Sequence, residues 1–163
     1  MLDAVVCDPP YGVREGGRKS HAKAVVIPDE RRGAHIPSTA RYRLSECLAD
    51  LLLKASALLR VGGRLVFFMP WFEQGEGEEL ALLARHPCLA LRAVSEQVLQ
   101  ARYNRRLVTM QKARPFDGPA CEAHARAMRA AHMTVDAIHA WVFKAREEGG
   151  GGCDRPRFRC KDI

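Results

Sequence analysis

The sequence of 163 residues predicts a single α/β domain with a mostly parallel sheet. Two apolar runs, at residues 2–7 and 64–69, have the Val- and Phe-rich composition of buried strands. The segment 43–59 between them repeats apolar residues at helical spacing. Two further strand-like segments, 89–100 and 106–112, are expected to form an antiparallel hairpin. Strand, helix, strand and then a hairpin is an element order typical of α/β domains.

The boundaries of these elements are expected at turn-forming residues. The first strand ends at Asp8-Pro9-Pro10-Tyr11, because consecutive prolines cannot continue a central strand. Residues 13–42 are polar, basic and interrupted by Gly and Pro, which predicts a long loop of a kind that is often functional. The helix is expected to end at Gly62-Gly63. A short helix at 76–85 precedes the hairpin, whose turn contains Asn104.

The chain divides into three segments. Residues 1–112 contain the α/β elements. Residues 113–148 form a helical extension, with expected helices at 119–131 and 135–147. Residues 149–163 begin with a glycine run and continue as a basic segment with few apolar residues, so we expect a disordered basic tail.

Composition restricts the class of protein. Lys and Arg number 26 against 19 Asp and Glu, a formal charge of +7 that suits a polyanion such as nucleic acid but also serves simple solubility. The six Cys are scattered without a Cys-x-x-Cys pair, which favours the reduced thiols of a cytosolic or nuclear protein, and we expect a cytoplasmic location. No apolar run approaches the roughly 20 residues of a membrane span, so we expect no membrane contact. We assign no metal site.

The segment after the first strand is the most informative. A parallel strand delivers its last residue to the carboxyl edge of the sheet, where open α/β folds bind ligands. There the Asp8 carboxylate and the Pro9 carbonyl offer two acceptors, which together could hold both protons of an exocyclic amino group. Tyr11 adds an aromatic face on which a flipped base can stack. The set is suited to a planar aromatic amine; a turn that merely ends the strand is the alternative.

Asp8-Pro9-Pro10-Tyr11 resembles the motif of class I, S-adenosylmethionine-dependent amino-methyltransferases that act on nucleic acid. A narrower resemblance, to the catalytic subunit of tRNA (guanine-10-N2)-methyltransferases, rests on residues 8–16, Arg18-Lys19, 59–68 and 103–107 and covers residues 2–112. It implies the C-terminal half of a Rossmann-like class I methyltransferase sheet, with a small helical C-terminal extension. It also implies S-adenosylmethionine as cofactor, tRNA as partner and a small zinc-binding activator subunit.

The resemblance implies catalytic roles for the motif residues Asp8, Pro9, Pro10 and Tyr11, with Asp8 also contacting the cofactor. Basic residues near the motif and in the hairpin are candidates for binding tRNA phosphates, with a solvated basic surface as the alternative for each. These residues are Arg14, Arg18, Lys19, Arg105 and Arg106.

The sequence also departs from the family. The glycine-rich cofactor loop and the acidic ribose-binding residue that precede the catalytic motif in the family have no counterpart here. We therefore expect the chain to be inactive alone. Two other functions stay open: methylation of DNA adenine or rRNA guanine, and binding of RNA or a partner without catalysis.

Overall fold

The computed structural model describes residues 1–10, 17–20, 39–71, 78–98, 104–131, 133, 136 and 157–162. Its elements are β1 (Leu2–Cys7), β2 (Arg18–Ser20), β3 (Thr39–Arg41), α1 (Leu44–Leu58), β4 (Leu59–Trp71), α2 (Glu78–Ala84), β5 (Leu89–Val98), β6 (Asn104–Lys112), α3 (Gly118–Ala130) and β7 (Arg157–Asp162). Five strands form one sheet in the order β1-β4-β6-β5-β7, and β2 and β3 form a separate antiparallel pair.

The large sheet is mixed. As predicted, β1 and β4 are parallel neighbours connected through α1, and Cys7 is found opposite Phe67. The expectation that β1 is buried is wrong, because the strand lies at an edge of the described sheet and its residues are exposed or half-buried. β6 is antiparallel to both β4 and β5, and β7 is antiparallel to β5. Consequently β1, β4 and β5 run in one direction, but β1 and β4 are the only parallel neighbours among the described strands. The α/β class is confirmed, but the expectation of a mostly parallel sheet is wrong for the described strands, because three of the four strand pairings of this sheet are antiparallel.

α1 forms where the helical spacing predicts it. Its first turn is capped twice: the Glu46 carboxylate accepts a hydrogen bond from the Arg43 N–H (3.2 Å), and the Asp136 carboxylate accepts from the Ser45 N–H and hydroxyl (2.9 and 2.6 Å). The helix ends at Leu58 rather than at Gly62-Gly63. The predicted range 43–59 is thus confirmed to within one residue at each end, but the two glycines do not end the helix, because Leu59, fully buried, already pairs with β1.

Gly62 and Gly63 lie inside β4, where they determine how the strand passes β1. Gly62 has a positive φ of 87°, which non-glycine residues rarely adopt. A Cβ on Gly63 would lie 2.9 Å from the carbonyl oxygen of Arg60 and 3.0 Å from that of Asp3. The pair therefore lets β4 turn and pass close to the backbone of β1.

The sheet has one face packed against helices, here called the covered face. Leu48 and Leu52 of α1, Leu83 of α2 and Met128 of α3 share one core with β4 and β6. The strand residues that point into this core are Leu65, Phe67, Met69, Val108 and Met110. The alternate residues form the open face, on which no described helix packs; they include Val6, Val66, Phe68, Arg105 and Leu107.

α3 confirms the first predicted helix of the extension. Its N-cap Asp117 accepts a hydrogen bond from the Ala120 N–H (3.0 Å), and Met128 is fully buried against α1. The helix therefore shares the core of the α/β elements.

The second predicted helix, 135–147, lies almost entirely outside the described residues. No helix in the described part of the chain is long and apolar enough to cross a membrane.

Two further expectations, one for the C-terminal segment and one for the hairpin, require correction. Residues 157–162 form an edge strand on β5 instead of a disordered tail, with Arg157 opposite Val98 and Asp162 opposite Ala93. Composition did not indicate it because an edge strand is held by backbone hydrogen bonds to a neighbour, which need no apolar side chains. Asn104 lies in β6 opposite Trp71 rather than in the hairpin turn, although the antiparallel hairpin itself is confirmed.

Candidate active site at the carboxyl ends of β1 and β4

The predicted motif begins where β1 leaves the sheet. Asp8, Pro9 and Pro10 follow Cys7 directly, beside the last residues of the parallel strand β4. Pro9 is buried, whereas Asp8 and Pro10 are exposed. A rigid buried proline next to an exposed carboxylate fixes where the chain leaves the strand and presents Asp8 to solvent. Tyr11 lies outside the described residues.

Asp8 faces an arginine from a strand that is not its neighbour. Nη1 of Arg105, on β6, lies 3.5 Å from Oδ2 of Asp8, and β4 separates the two strands. The Arg105 guanidinium lies over the ring of Phe68, 4.4 Å from its centroid, and donates two hydrogen bonds to Oε1 of Gln97 (3.0 Å from Nε and 2.6 Å from Nη2). Three strands thus contribute to the surroundings of this one carboxylate.

Arg106 points to the opposite, covered face. Its guanidinium stacks on Trp71, 3.9 Å from the ring centroid. Burial lowers the pKa of Arg106, and the nearby Glu96 and Glu79 carboxylates oppose that shift. Beside it, the buried Asn104 donates to Oε1 of Glu96 (3.0 Å). A half-buried arginine that is stacked and near two carboxylates is poorly placed to bind a phosphate.

Two of the other basic candidates, Lys19 and Arg18, also contact neighbouring side chains. Lys19 forms an ion pair with Glu46 at the start of α1, at 2.9 Å. Burial alone would raise the pKa of Glu46, but the hydrogen bonds from Lys19 and from the Arg43 N–H, with the charges of both residues, lower it. Arg18, exposed on β2, donates hydrogen bonds to Thr39. Arg14 lies outside the described residues. The four candidates that the structure describes are therefore not gathered into one patch.

The thiol next to Asp8 is not an activated nucleophile. Burial raises the pKa of Cys7, and the adjacent Asp8 carboxylate raises it further. A protonated thiol reacts slowly with electrophiles. Among the residues that the structure describes, no three His, Cys, Asp or Glu side chains come together to hold a metal ion. The groups described at this edge are therefore the Asp8 carboxylate, the Arg105 guanidinium and the ring of Phe68.

Sequence reasoning missed Gln97 and Phe68 as parts of the site. The predicted hairpin began its second strand at residue 106, which left Arg105 in the turn. In the structure β6 begins at Asn104, so that Arg105 lies opposite both Gln97 and Pro70, next to Phe68. Counting the register outward from the turn, with Val98 opposite Asn104, would have paired Gln97 with Arg105 and thereby found the contact.

The chain is similar to curated tRNA (guanine(10)-N(2))-methyltransferases. It is 40% identical to the protein of that name from Xenopus laevis over 125 residues, which are 76% of this chain and 26% of the relative. Identity to the Dictyostelium discoideum protein is 43% over 117 residues (69% of this chain, 22% of the relative). Identity to the Homo sapiens protein is 38% over 121 residues (71% and 26%). The resemblance read from the sequence is thus confirmed.

The match has a defined extent. The chain spans about a quarter of the length of these relatives. No family profile matches the sequence, and no solved structure matches it significantly. The homology, together with the parallel β1–α1–β4 unit, supports part of a Rossmann-like class I methyltransferase fold.

Proposed function

We propose that this chain, homologous to a quarter of the tRNA (guanine(10)-N(2))-methyltransferases, forms the substrate-binding half of an S-adenosylmethionine-dependent enzyme that methylates N2 of a guanosine in tRNA. The observation that supports the proposal is the position of Asp8-Pro9, which follows β1 at the carboxyl edge of the sheet, beside the end of β4. The names of the relatives supply the substrate. Tyr11 is proposed as the base-stacking residue.

The chemistry asked of this chain is mainly positioning. The lone pair of the guanine N2 amino group is delocalised into the ring. When Asp8 and the Pro9 carbonyl accept hydrogen bonds from its two N–H groups, they favour a more tetrahedral nitrogen whose lone pair points in one direction. Holding reactants in such an arrangement can account for much of a rate enhancement. Pro10 restricts the backbone that aims the Pro9 carbonyl.

The residues present suit the substrate better than the cofactor. S-adenosylmethionine, when bound, supplies an electrophilic methyl group. In this chain Asp8 is the one residue proposed to contact it, and the sequence contains no counterpart of the glycine-rich loop of the family. We therefore propose that this chain binds and orients the amine of the substrate. Most of the residues that bind the cofactor are proposed to lie outside this chain.

The direct test is a chimaera in which this chain replaces the segment that it matches in the Xenopus laevis protein. Incubated with S-adenosylmethionine and a tRNA transcript, the chimaera is expected to form N2-methylguanosine, detected by mass spectrometry of the released nucleosides. Asp8→Ala should lower the rate by about 10²–10³, the usual cost of removing one positioned contact to a transition state. The melting temperature should change little, because Asp8 is exposed.

A matched control is available on the same strand. Asp3, at the other end of β1, is also an exposed aspartate in contact with an arginine, Arg60. Asp3→Ala should therefore leave the rate unchanged. A wild-type rate in Asp8→Ala would refute the assignment of Asp8. A folded chimaera that methylates DNA adenine or rRNA guanine, but no tRNA, would replace the proposed substrate.

The isolated chain gives a second test. By calorimetry it should bind no S-adenosylmethionine at micromolar concentration, because one half of the proposed cofactor site has no residues here. Binding at low micromolar Kd with one site per chain would contradict that division. We further propose a cytoplasmic location, and a small zinc-binding activator as partner of the complete enzyme.

A further inference from the structure

The side chain of Arg105 is partly exposed but is restrained by contacts with two neighbouring strands. Its side chain is 25% exposed, yet its guanidinium lies over Phe68 and donates two hydrogen bonds to Oε1 of Gln97. These contacts come from β4 and β5, the strands on either side of its own. A planar guanidinium restrained at one edge and one face has few remaining orientations. The position of its Nη1 atom is therefore fixed.

Asp8, the other member of the pair, is more exposed. It follows the last residue of an edge strand, and 54% of its side chain is exposed. Its Oδ2 lies 3.5 Å from Nη1 of Arg105, longer than a usual N–H···O hydrogen bond but within range of an ion pair. Exposed ion pairs of this kind contribute little to folding stability. The main effect of the contact is therefore expected on the orientation of the Asp8 carboxylate and not on stability.

We propose that Arg105 is a positioning residue, which orients the Asp8 carboxylate towards the amine of the substrate. The proposal rests on the proposed function of Asp8 and gives Arg105 a role different from binding tRNA phosphate. A phosphate-binding arginine offers the fork of its guanidinium to the ligand. In Arg105, Nε and Nη2 are occupied by Gln97, and Nη1 faces Asp8.

The same hairpin contains a matched control. Near its other end, Arg92 of β5 donates from Nε to Oε1 of Gln111 on β6, at 3.0 Å. This is a second arginine–glutamine pair between the same two strands, and it is exposed. It lies far along the hairpin from the residues that reach Asp8. Arg92→Gln therefore removes an arginine of the same kind without touching the site.

The orientation of Asp8 can be measured on the chain itself, whether or not it transfers methyl groups. Three-bond NMR couplings from the backbone nitrogen and carbonyl carbon to Cγ report the χ1 rotamer of Asp8. We expect a single rotamer in the wild type, averaging over the staggered rotamers in Arg105→Gln, and partial recovery in Arg105→Lys, which keeps the charge but not the fork. Arg92→Gln should leave Asp8 unchanged, and the couplings of Asp3 should be unchanged in every variant.

Averaged Asp8 couplings in the wild type, or couplings unaffected by Arg105→Gln, would overturn the proposal while leaving the proposed function untouched. A change at both Asp8 and Asp3 would mean that Arg105 acts on the fold as a whole, and would overturn it equally.

The chimaera then separates positioning from tRNA binding. If Arg105 acts through Asp8, Arg105→Gln should lower kcat about tenfold with little change in the KM for tRNA, and should cause no further loss in an Asp8→Asn background. If Arg105 binds a phosphate, the same variant should raise KM, weaken the salt dependence of binding, and add its effect to that of Asp8→Asn. The second pattern would overturn the proposal. Absence of methyl transfer in the wild-type chimaera would count against the proposed function, and the NMR result would still decide the role of Arg105.

Discussion

The two faces of the sheet are made of similar residues but differ in what they contact. On the covered face Leu65 and Phe67 are fully buried against helices. On the open face their neighbours Val66 and Phe68 are half-buried, and Val6 of β1 is 75% exposed. Both sets are apolar, so hydrophobicity along β4 does not distinguish them. Burial here is decided by where the helices pack, and the proposed site lies on the side that the described helices leave uncovered.

The largest expected difference between the faces is in stability. Leu65→Ala should lower the free energy of unfolding by about 2–5 kcal/mol, because it removes a fully buried side chain and leaves a cavity. Leu107→Ala is the same substitution on the open face, where the half-buried side chain should cost only about 1 kcal/mol. Urea denaturation of both variants measures the difference. Equal losses would mean that the open face is covered in solution.

Acid should weaken the covered side through His86. This buried side chain follows α2, and its Nδ1 accepts hydrogen bonds from the N–H groups of Cys88 and Leu89 (3.1 and 3.0 Å). Burial, and to a smaller degree the nearby His124, lower the pKa of His86 from 6.5 to about 4.

Between these two values the unfolded chain binds a proton that the folded chain does not. The stability contributed by neutral His86 is thus complete above pH 6.5 and is lost as pH falls towards about 4. Melting temperatures measured across this range should fall with pH in the wild type. They should fall less in His86→Gln. Parallel curves for the two proteins would show that His86 is not responsible.

The smallest effect is expected at the edge of the open face. Val6→Thr keeps the shape of a side chain that is 75% exposed, so the free energy of unfolding should change by no more than about 0.5 kcal/mol. Urea denaturation under the conditions used for Leu65→Ala gives a direct comparison. A loss above 1.5 kcal/mol would show that Val6 is buried in solution.

Much of the architecture could be predicted from local patterns. The short Val-rich run before Asp8 predicts a strand and the helical spacing in 43–59 predicts a helix, and both elements are found. The end of α1 could not be predicted from Gly62-Gly63, because Leu59 was already required by the pairing with β1. β7 could not be predicted either, since backbone pairing at an edge depends on a neighbour with unpaired backbone groups.

By itself, the sequence determined the strand that ends in Asp8-Pro9-Pro10, the helix after it and the likeness to tRNA methyltransferases, because each of these depends on residues close together in the chain. Only the tertiary structure decided which face of the sheet is covered and which partner Arg105 meets. The physical reason is strand order. Although β4 lies between β1 and β6, the side chains of Asp8 and Arg105, 97 positions apart, meet where the Arg105 guanidinium lies over the ring of Phe68 on β4.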